Sequence, residues 1–181
     1  DNGIYPAMNK GIRRAHDKYL LFLNGGDLLY EPQTVAKVMP FLKSGGADVF
    51  YGQSYRLFDK PQDCFIKTYP EKLTKEFFLT NTLGHQSSFI KRDLFQTYGG
   101  YREDFKIVSD KEKWLCFMDK GVKFQDIPFP CSQFRMNGIS RSPSNLLKIE
   151  KNKMLSRYFT PQQVQTALGN IFMPDVCDFK R

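Results

Sequence analysis

Short apolar runs alternate with turn-forming residues along the chain, which predicts a mixed α/β protein. Ile4, Met8, Ile12 and Ala15 recur at helical spacing, so a helix is expected over residues 5–15. Residues 19–24 follow as a continuous apolar strand, a pattern typical of a parallel strand covered on both faces. The same patterns predict helices near residues 33–42, 73–79, 91–98, 109–120, 143–158 and 161–168, and strands near residues 47–57, 64–69, 85–90 and 122–134. Elements that alternate early and mix later favour an open, partly parallel sheet.

Composition is that of a globular protein. With 181 residues, 41% of them apolar, the chain can bury a real core as one domain. No apolar run approaches the ~20 residues that span a bilayer, and the opening DNGIYPAMNK has no signal-peptide pattern. The four cysteines are scattered without a CxxC pair, which predicts reduced thiols in a cytoplasmic protein rather than a zinc site.

The chain is basic, with a net charge of +8 and a pI near 9.3. Such a charge attracts phosphates, whether in nucleotides, nucleic acid or membrane surfaces, and by itself does not choose among them. The basic residues are dispersed and no RRM, KH or helix-turn-helix pattern is present, so no nucleic-acid partner is expected.

One polar sequence interrupts the apolar pattern. The stretch YLLFLNGGDLLY places Asn24, Gly25, Gly26 and Asp27 directly after the predicted strand. In open α/β sheets, ligands bind beyond the carboxyl ends of the strands, and a carboxylate there can hold Mg²⁺ or Mn²⁺ together with substrate phosphates. The residues N-G-G-D are equally typical of an ordinary turn.

Two longer segments resemble family 2 glycosyltransferases with the GT-A fold. The first, DNGIYPAMNKGIRRAHDKYLLFLNGGDLLY, is similar to the family's D-x-G-I-Y-D-A-M-N-K-G-I and to a strand ending F-L-N-S-G-D or N-S-D-D. The second, GHQSSFIKRDLFQTYGGYREDFKIVSDKEKWLCFMDKG, is similar to H-Q-x-x-F, a helix, and S-D or E-D opening a further helix. A weaker match, like the family's G-G-I-S, lies at residues 137–140. The resemblance implies an α/β, GT-A-like fold: an open, mostly parallel sheet flanked by helices.

The resemblance also implies a donor site. Asp27 matches the aspartate that helps to hold a divalent cation, Mn²⁺ or Mg²⁺, on the diphosphate of a nucleotide-sugar donor. Gly26 stands where many relatives have another aspartate, so this chain has one carboxylate fewer for the metal. The implied donor-binding set is Asp1, Asn9, Lys10, Asn24 and Asp27.

Asp110 matches the family's catalytic base, which takes the proton of an attacking acceptor hydroxyl. An acid in the first turn of a helix also favours the helix dipole without any catalytic task, and Glu103 and Asp104 are nearby competitors for the role. His85 occupies the H-Q position on the acceptor side of the cleft, although an isolated histidine is more often structural. Ser109 and Glu112 predict a capping box at the start of this helix.

Domain organisation follows from the same resemblance. Residues 1–142 are expected to be a partial, N-terminally truncated GT-A domain without the first βαβ unit, and residues 143–181 a C-terminal helical extension. Sheet edges left open by missing strands would favour homo-oligomers.

The tail segment LLKIEKNKMLSRY interleaves basic and apolar residues. It is read either as a basic helix lying on the inner face of a membrane, near a lipid-linked acceptor, or as an ordinary helix packed on the domain.

The expected function is inverting transfer of a sugar to a hydroxyl of a cell-surface polysaccharide or lipid-linked acceptor. A non-catalytic GT-A-like module that binds a nucleotide or a partner is the alternative.

Overall fold

The computed structural model describes residues 2–135 and 145–168. The helices within these ranges are α1 (Ile4–Arg14), α2 (Thr34–Ser44), α3 (Phe77–Thr80), α4 (Asp93–Tyr98), α5 (Ser109–Asp119), α6 (Asn145–Leu155) and α7 (Pro161–Leu168). The strands are β1 (Tyr19–Leu20), β2 (Leu28–Leu29), β3 (Val49–Leu57), β4 (Phe65–Lys67), β5 (Ser88–Lys91) and β6 (Phe124–Arg135). Short 3-10 helices lie at Pro61–Asp63 and His85–Ser87.

The strands form one sheet in the order β1-β5-β3-β6-β2, with β4 paired to the far half of β3. Only β3 and β6 run parallel; β1 with β5, β5 with β3, β2 with β6 and β3 with β4 are antiparallel. The predicted α/β fold is confirmed, but the expectation of a mostly parallel sheet is wrong. β5 lies antiparallel between β1 and β3, so β1 and β3 share a direction but do not pair with each other.

The sheet is covered on both faces. Along β3, Val49 and Tyr51 join one hydrophobic cluster while Phe50 joins the other, as the period of two in a strand requires. The larger cluster gathers α1, α5 and α6, with Trp114 fully buried at its centre. The smaller cluster packs Val38 and Leu42 of α2 against the opposite face.

β1 is shorter than its sequence predicts. Only two residues of the apolar run pair with β5, and Leu23 is exposed. Within the described residues β1 is the last strand of the sheet order and has a partner on one side only. The expectation of a parallel strand over residues 19–24 is therefore wrong, but the segment is covered on both faces, since Leu20 and Phe22 pack in the larger cluster and Tyr19 and Leu21 pack against the smaller one. Beyond Leu20 the backbone leaves the sheet and leads into the turn that carries Asp27.

The start of α5 also differs from its prediction. Val108 occupies the N-cap position, so Ser109 already lies inside the helix, and its buried hydroxyl has no hydrogen-bond partner. The predicted capping box of Ser109 and Glu112 is therefore wrong. In the described part of the chain the helix has no side-chain cap, but Glu150 of α6 holds the loop before it by accepting hydrogen bonds from the backbone amides of residues 106–108.

Candidate active site

Asp27 is fixed in the turn between β1 and β2 by reciprocal bonds to Asn24. The Asp27 amide donates to the Asn24 carbonyl over 2.9 Å, and the Asn24 amide donates to Asp27 Oδ2 over 3.0 Å. Gly26 supports this turn with a φ of 94°, a backbone conformation that residues with side chains rarely adopt. The two interpretations of N-G-G-D, an ordinary turn and a ligand-binding carboxylate, are therefore compatible, because the turn presents the carboxylate of Asp27.

The surroundings of Asp27 act on the pKa of its carboxyl group in opposite directions. Burial raises the pKa of its carboxyl group, while the Asn24 amide, the neighbouring His85 and a hydrogen bond from Gln86 act in the opposite direction. A carboxylate that loses hydration in this way gains from a nearby cation, because an opposite charge stabilises its ionised form.

Asp110 lies in the first turn of α5, with 18% of its side chain exposed. Its Oδ1 accepts hydrogen bonds from the Tyr5 hydroxyl at 3.2 Å and from the Lys111 amide at 2.8 Å. Its Oδ2 lies 3.3 Å from His85 Nδ1. An ionised carboxylate offers about four lone-pair sites, so these three described contacts leave one of them, on Oδ2, to accept a proton.

His85 joins the two acidic residues into one site. Its Nε2 lies 2.7 Å from the side-chain amide nitrogen of Asn24, and its Nδ1 faces Asp110. A continuous chain of contacts therefore runs from Asp27 through Asn24 and His85 to Asp110. Three segments far apart in the sequence supply it: the turn after β1, the 3-10 helix before β5, and the first turn of α5.

The other predicted donor residues lie elsewhere. Asn9 is buried, and its amide nitrogen donates to the Tyr101 carbonyl and to Glu103 Oε1, while its oxygen accepts from the Tyr101 amide. Both amide hydrogens are engaged in joining α1 to the loop after α4, a structural task. Lys10 is exposed on α1, and Asp1 lies outside the described residues. Donor contact by Asn9, Lys10 and Asp1 stays a prediction.

The two competitors for the role of base are engaged away from this chain of contacts. Asp104 accepts hydrogen bonds from Nε and Nη2 of Arg102 and from Lys153, and these cations lower the pKa of its carboxyl group. Glu103 accepts the hydrogen bond from Asn9. Neither contacts His85 in the described part of the chain. The G-G-I-S match at residues 137–140 lies outside that part.

A cavity of about 570 Å³ opens beside α1 and α4. Its walls include Asn9, Arg13, His16, Arg92 and Tyr101, and they do not include the residues of the contact chain from Asp27 to Asp110. It is therefore a separate concavity and not the candidate active site.

Comparison with known proteins identifies the family. The model of glycosyl transferase family 2 matches residues 1–137. The chain belongs to this family. A PGL/p-HBAD biosynthesis glycosyltransferase of Mycobacterium bovis is 32% identical over 116 residues, which cover 61% of this chain and 41% of that protein. An uncharacterized glycosyltransferase of Mycobacterium tuberculosis is 32% identical over 114 residues, covering 62% of this chain and 43% of the relative. The family 2 chain thus spans less than half the length of these curated relatives.

Solved structures confirm the GT-A-like fold. Residues 1–349 of TarS from S. aureus superpose with a TM-score of 0.56 at 11% identity, covering 86% of the family 2 chain and 50% of TarS 1–349. The same TarS fragment in complex with UDP gives a TM-score of 0.56 and covers 87% of the chain. At this identity the likeness concerns the fold alone.

The residues present fit a divalent cation held by one protein carboxylate. Among the described residues of this family 2 chain, no three or more histidine, cysteine, aspartate or glutamate side chains are grouped so that they could hold a metal ion together. Mg²⁺ and Mn²⁺ do not require such a group, since one or two carboxylates suffice when substrate phosphates and waters complete the coordination. Asp27, with its partly dehydrated carboxylate, is the residue that would hold the ion.

Sequence reasoning missed Tyr5 and Glu150. Tyr5 was identified only as the first residue of the predicted helix over residues 5–15, yet its single hydroxyl hydrogen is shared between the Ile107 carbonyl at 2.7 Å and Asp110 Oδ1 at 3.2 Å. Its position in the I-Y-x-A-M-N motif of the family 2 chain was the available signal. Glu150 gave no signal, because an acid within a basic helix predicts a solvated surface position.

Proposed function

We propose that the protein is an inverting glycosyltransferase that moves a sugar from a nucleotide-sugar donor to a hydroxyl of a cell-surface polysaccharide or lipid-linked acceptor. The observation that carries this proposal is the contact chain from Asp27 to Asp110, because it joins a diphosphate-side carboxylate and a base-side carboxylate in one site. Membership of family 2 supports glycosyl transfer, and a neighbour of the same fold was crystallised with UDP. Two relatives are glycosyltransferases of mycobacteria, one of them named for PGL/p-HBAD biosynthesis, which supports an acceptor in the cell envelope.

The reaction is a single in-line displacement. The acceptor hydroxyl oxygen forms a bond to the anomeric carbon of the donor as the bond from that carbon to the diphosphate oxygen breaks, which inverts the configuration. Asp110 takes the hydroxyl proton on Oδ2, the oxygen that retains a lone pair, while Tyr5 and the Lys111 amide hold Oδ1. A divalent cation at Asp27 would neutralise charge on the departing diphosphate.

The burial of Lys111 shapes the same end of α5. Its ammonium group donates to the Leu79 carbonyl at 3.3 Å, and burial lowers its pKa to about 8. Lys111 therefore points away from solvent and toward α3, although its backbone amide serves Asp110.

The proposal places the protein in the cytoplasm, where nucleotide-sugars are made, with an acceptor presented at the inner face of the membrane. Across residues 2–135 and 145–168, none of the helices combines the length and the apolar character that crossing a bilayer requires.

Transfer assays on the full-length gene product test the assignment. A panel of UDP-, GDP- and dTDP-sugars identifies the donor by release of nucleoside diphosphate, in the presence and absence of Mn²⁺. Asp110→Asn should lower kcat by ~10²–10⁴-fold, the usual contribution of a positioned base, and Asp27→Ala should lower activity by at least ~10²-fold. Asp93→Asn and Asp59→Ala, at exposed positions, are the matched controls.

Full activity in both Asp110→Asn and Asp27→Ala would refute the assignment. The second candidate function is that of a GT-A-like module that binds a nucleotide without turnover. The single carboxylate at the metal position is the observation on its side. Calorimetric binding of a nucleoside diphosphate by a wild type that transfers no sugar from any donor of the panel would select it.

A further inference from the structure

His85 lies between two side chains whose hydrogen-bonding capacities differ. On one side is the carboxylate of Asp110, which in its ionised form can accept hydrogen bonds but cannot donate them. On the other side is the amide nitrogen of Asn24, which donates only. With 13% of its side chain exposed and both ring nitrogens engaged, His85 has no nitrogen left over for an acceptor sugar.

This arrangement selects one form of the imidazole. A neutral imidazole carries a single N–H, and the bond to Asp110 places that hydrogen on Nδ1. Nε2 must then accept, which the Asn24 amide satisfies at 2.7 Å. The opposite tautomer would set a lone pair of Nδ1 against a lone pair of the carboxylate, and an N–H of Nε2 against the amide hydrogens of Asn24. Both contacts would be repulsive.

We propose that Asn24 and His85 are positioning residues: Asn24 holds His85 as the neutral Nδ1–H tautomer, and His85 in turn orients the carboxylate of Asp110. The role given to Asp110 rests on the proposed function. The turn that fixes Asp27 also fixes Asn24, since the Asn24 amide donates to Asp27 Oδ2. From the sequence, Asn24 was expected to contact the donor and His85 to lie on the acceptor side. In this proposal both residues instead orient the base, Asp110.

Nitrogen-15 spectra of histidine-labelled full-length protein read the tautomer directly and require no substrate. The His85 signal is assigned by its absence in His85→Asn. At about pH 8, where an unperturbed histidine is neutral, the proposal expects a protonated Nδ1 and an unprotonated Nε2. A protonated Nε2, alone or together with Nδ1, would overturn it.

Asn24→Asp sharpens this test. The substitution keeps the shape of the side chain and the backbone amide, but replaces the donor at Nε2 with an acceptor. Nε2 should then become protonated, which the same spectra detect. Asn81→Asp, at the end of α3, makes the same chemical change away from the site and should leave the His85 signals in place. An unprotonated Nε2 in Asn24→Asp would contradict the role of Asn24.

Kinetics distinguish positioning from contact with the acceptor. The side-chain nitrogen of an asparagine overlies Nδ1 of a histidine, whereas that of a glutamine overlies Nε2. His85→Asn can therefore still donate to Asp110 and should retain most of kcat. His85→Gln should lose ~10–100-fold in kcat, a cost like that of removing a group that orients a metal ligand, with the acceptor KM nearly unchanged.

Equal losses of kcat in His85→Asn and His85→Gln, or a rise in acceptor KM in both, would contradict the positioning role. If the wild type transfers no sugar at all, the proposed function fails, but the spectra still decide whether Asn24 sets the tautomer of His85. The two failures are thus separable.

Discussion

The junction between α1 and the loop after α4 requires a residue without a side chain at Gly100. The backbone of Gly100 lies so close to Asn9 that a Cβ there would meet Oδ1 of the amide at 2.4 Å. This close approach lets Asn9 bond both the amide and the carbonyl of Tyr101. The same helix carries Tyr5, so the junction also fixes the hydroxyl that holds Asp110.

Gly100→Ala should therefore destabilise the protein. The added methyl group must displace the Asn9 amide, leaving buried hydrogen-bonding groups of Tyr101 without a partner, at a cost of ~1–3 kcal/mol in the free energy of unfolding. Denaturant titration followed by circular dichroism measures this loss. Gly11→Ala is the matched control, because a Cβ at Gly11 has no neighbour within 4 Å and alanine favours a helix by up to ~1 kcal/mol. Equal stability of the two variants would show that Asn9 tolerates the intrusion.

Single residues also show where the sequence stops being informative. The motif resemblance picked out Asp27, His85 and Asp110, and the structure brings these three together. It did not reveal that Asn9 serves Tyr101, because that pair is separated by 92 positions and either residue alone has an ordinary sequence context. Hydrogen-bond partners of this kind depend on how elements pack, which neither periodicity nor spacing contains.

Elements were predicted better than their connections. The helix at residues 109–120 was expected and α5 occupies Ser109–Asp119, but the predicted capping box is absent. Local sequence pointed to Ser109 and Glu112, whereas the loop before the helix is held by the carboxylate of Glu150, 2.8 and 2.9 Å from the amides of Lys106 and Ile107. The prediction of a mostly parallel sheet was wrong for the same reason, because an apolar run does not reveal which strand will lie beside it.

Glu150 is predicted to control the position of Asp110 through the loop before α5. Its buried carboxylate accepts from three backbone amides. Glu150→Gln would set amide hydrogens against one or more of these donors, so we expect a loss of ~2–3 kcal/mol, the range for buried hydrogen bonds to a charged group. Thermal unfolding measures the loss, and hydrogen exchange at residues 106–110 should accelerate.

Glu76→Gln removes the same charge from an exposed position before α3 and serves as the control. If Glu150→Gln and Glu76→Gln unfold at the same temperature, and exchange at residues 106–110 is unchanged, Glu150 does not hold the loop before α5.

At the scale of the whole molecule, the tail helices join the body of the protein. Met154 and Leu155 of α6, together with Phe159, belong to the same buried cluster as Trp114 of α5. The expected boundary at residue 142 stays a prediction, but in the described structure the helix beyond it completes the core and, through Glu150, supports the active-site loop. The alternative of a helix lying on a membrane must therefore rely on the opposite, exposed face of α6.

Substitutions of two apolar residues on α6 distinguish its role in the core from contact with a membrane. Met154 is fully buried and Ile149 is 63% exposed. Met154→Ala should cost ~2–5 kcal/mol of unfolding free energy, because it opens a cavity in the core, whereas Ile149→Ala should change stability by less than ~0.5 kcal/mol. If α6 also meets an anionic membrane, Ile149→Ala should weaken co-sedimentation with phosphatidylglycerol vesicles while leaving stability intact. Equal partitioning of wild type and Ile149→Ala would remove the membrane role from this face, and a small cost for Met154→Ala would contradict its place in the core.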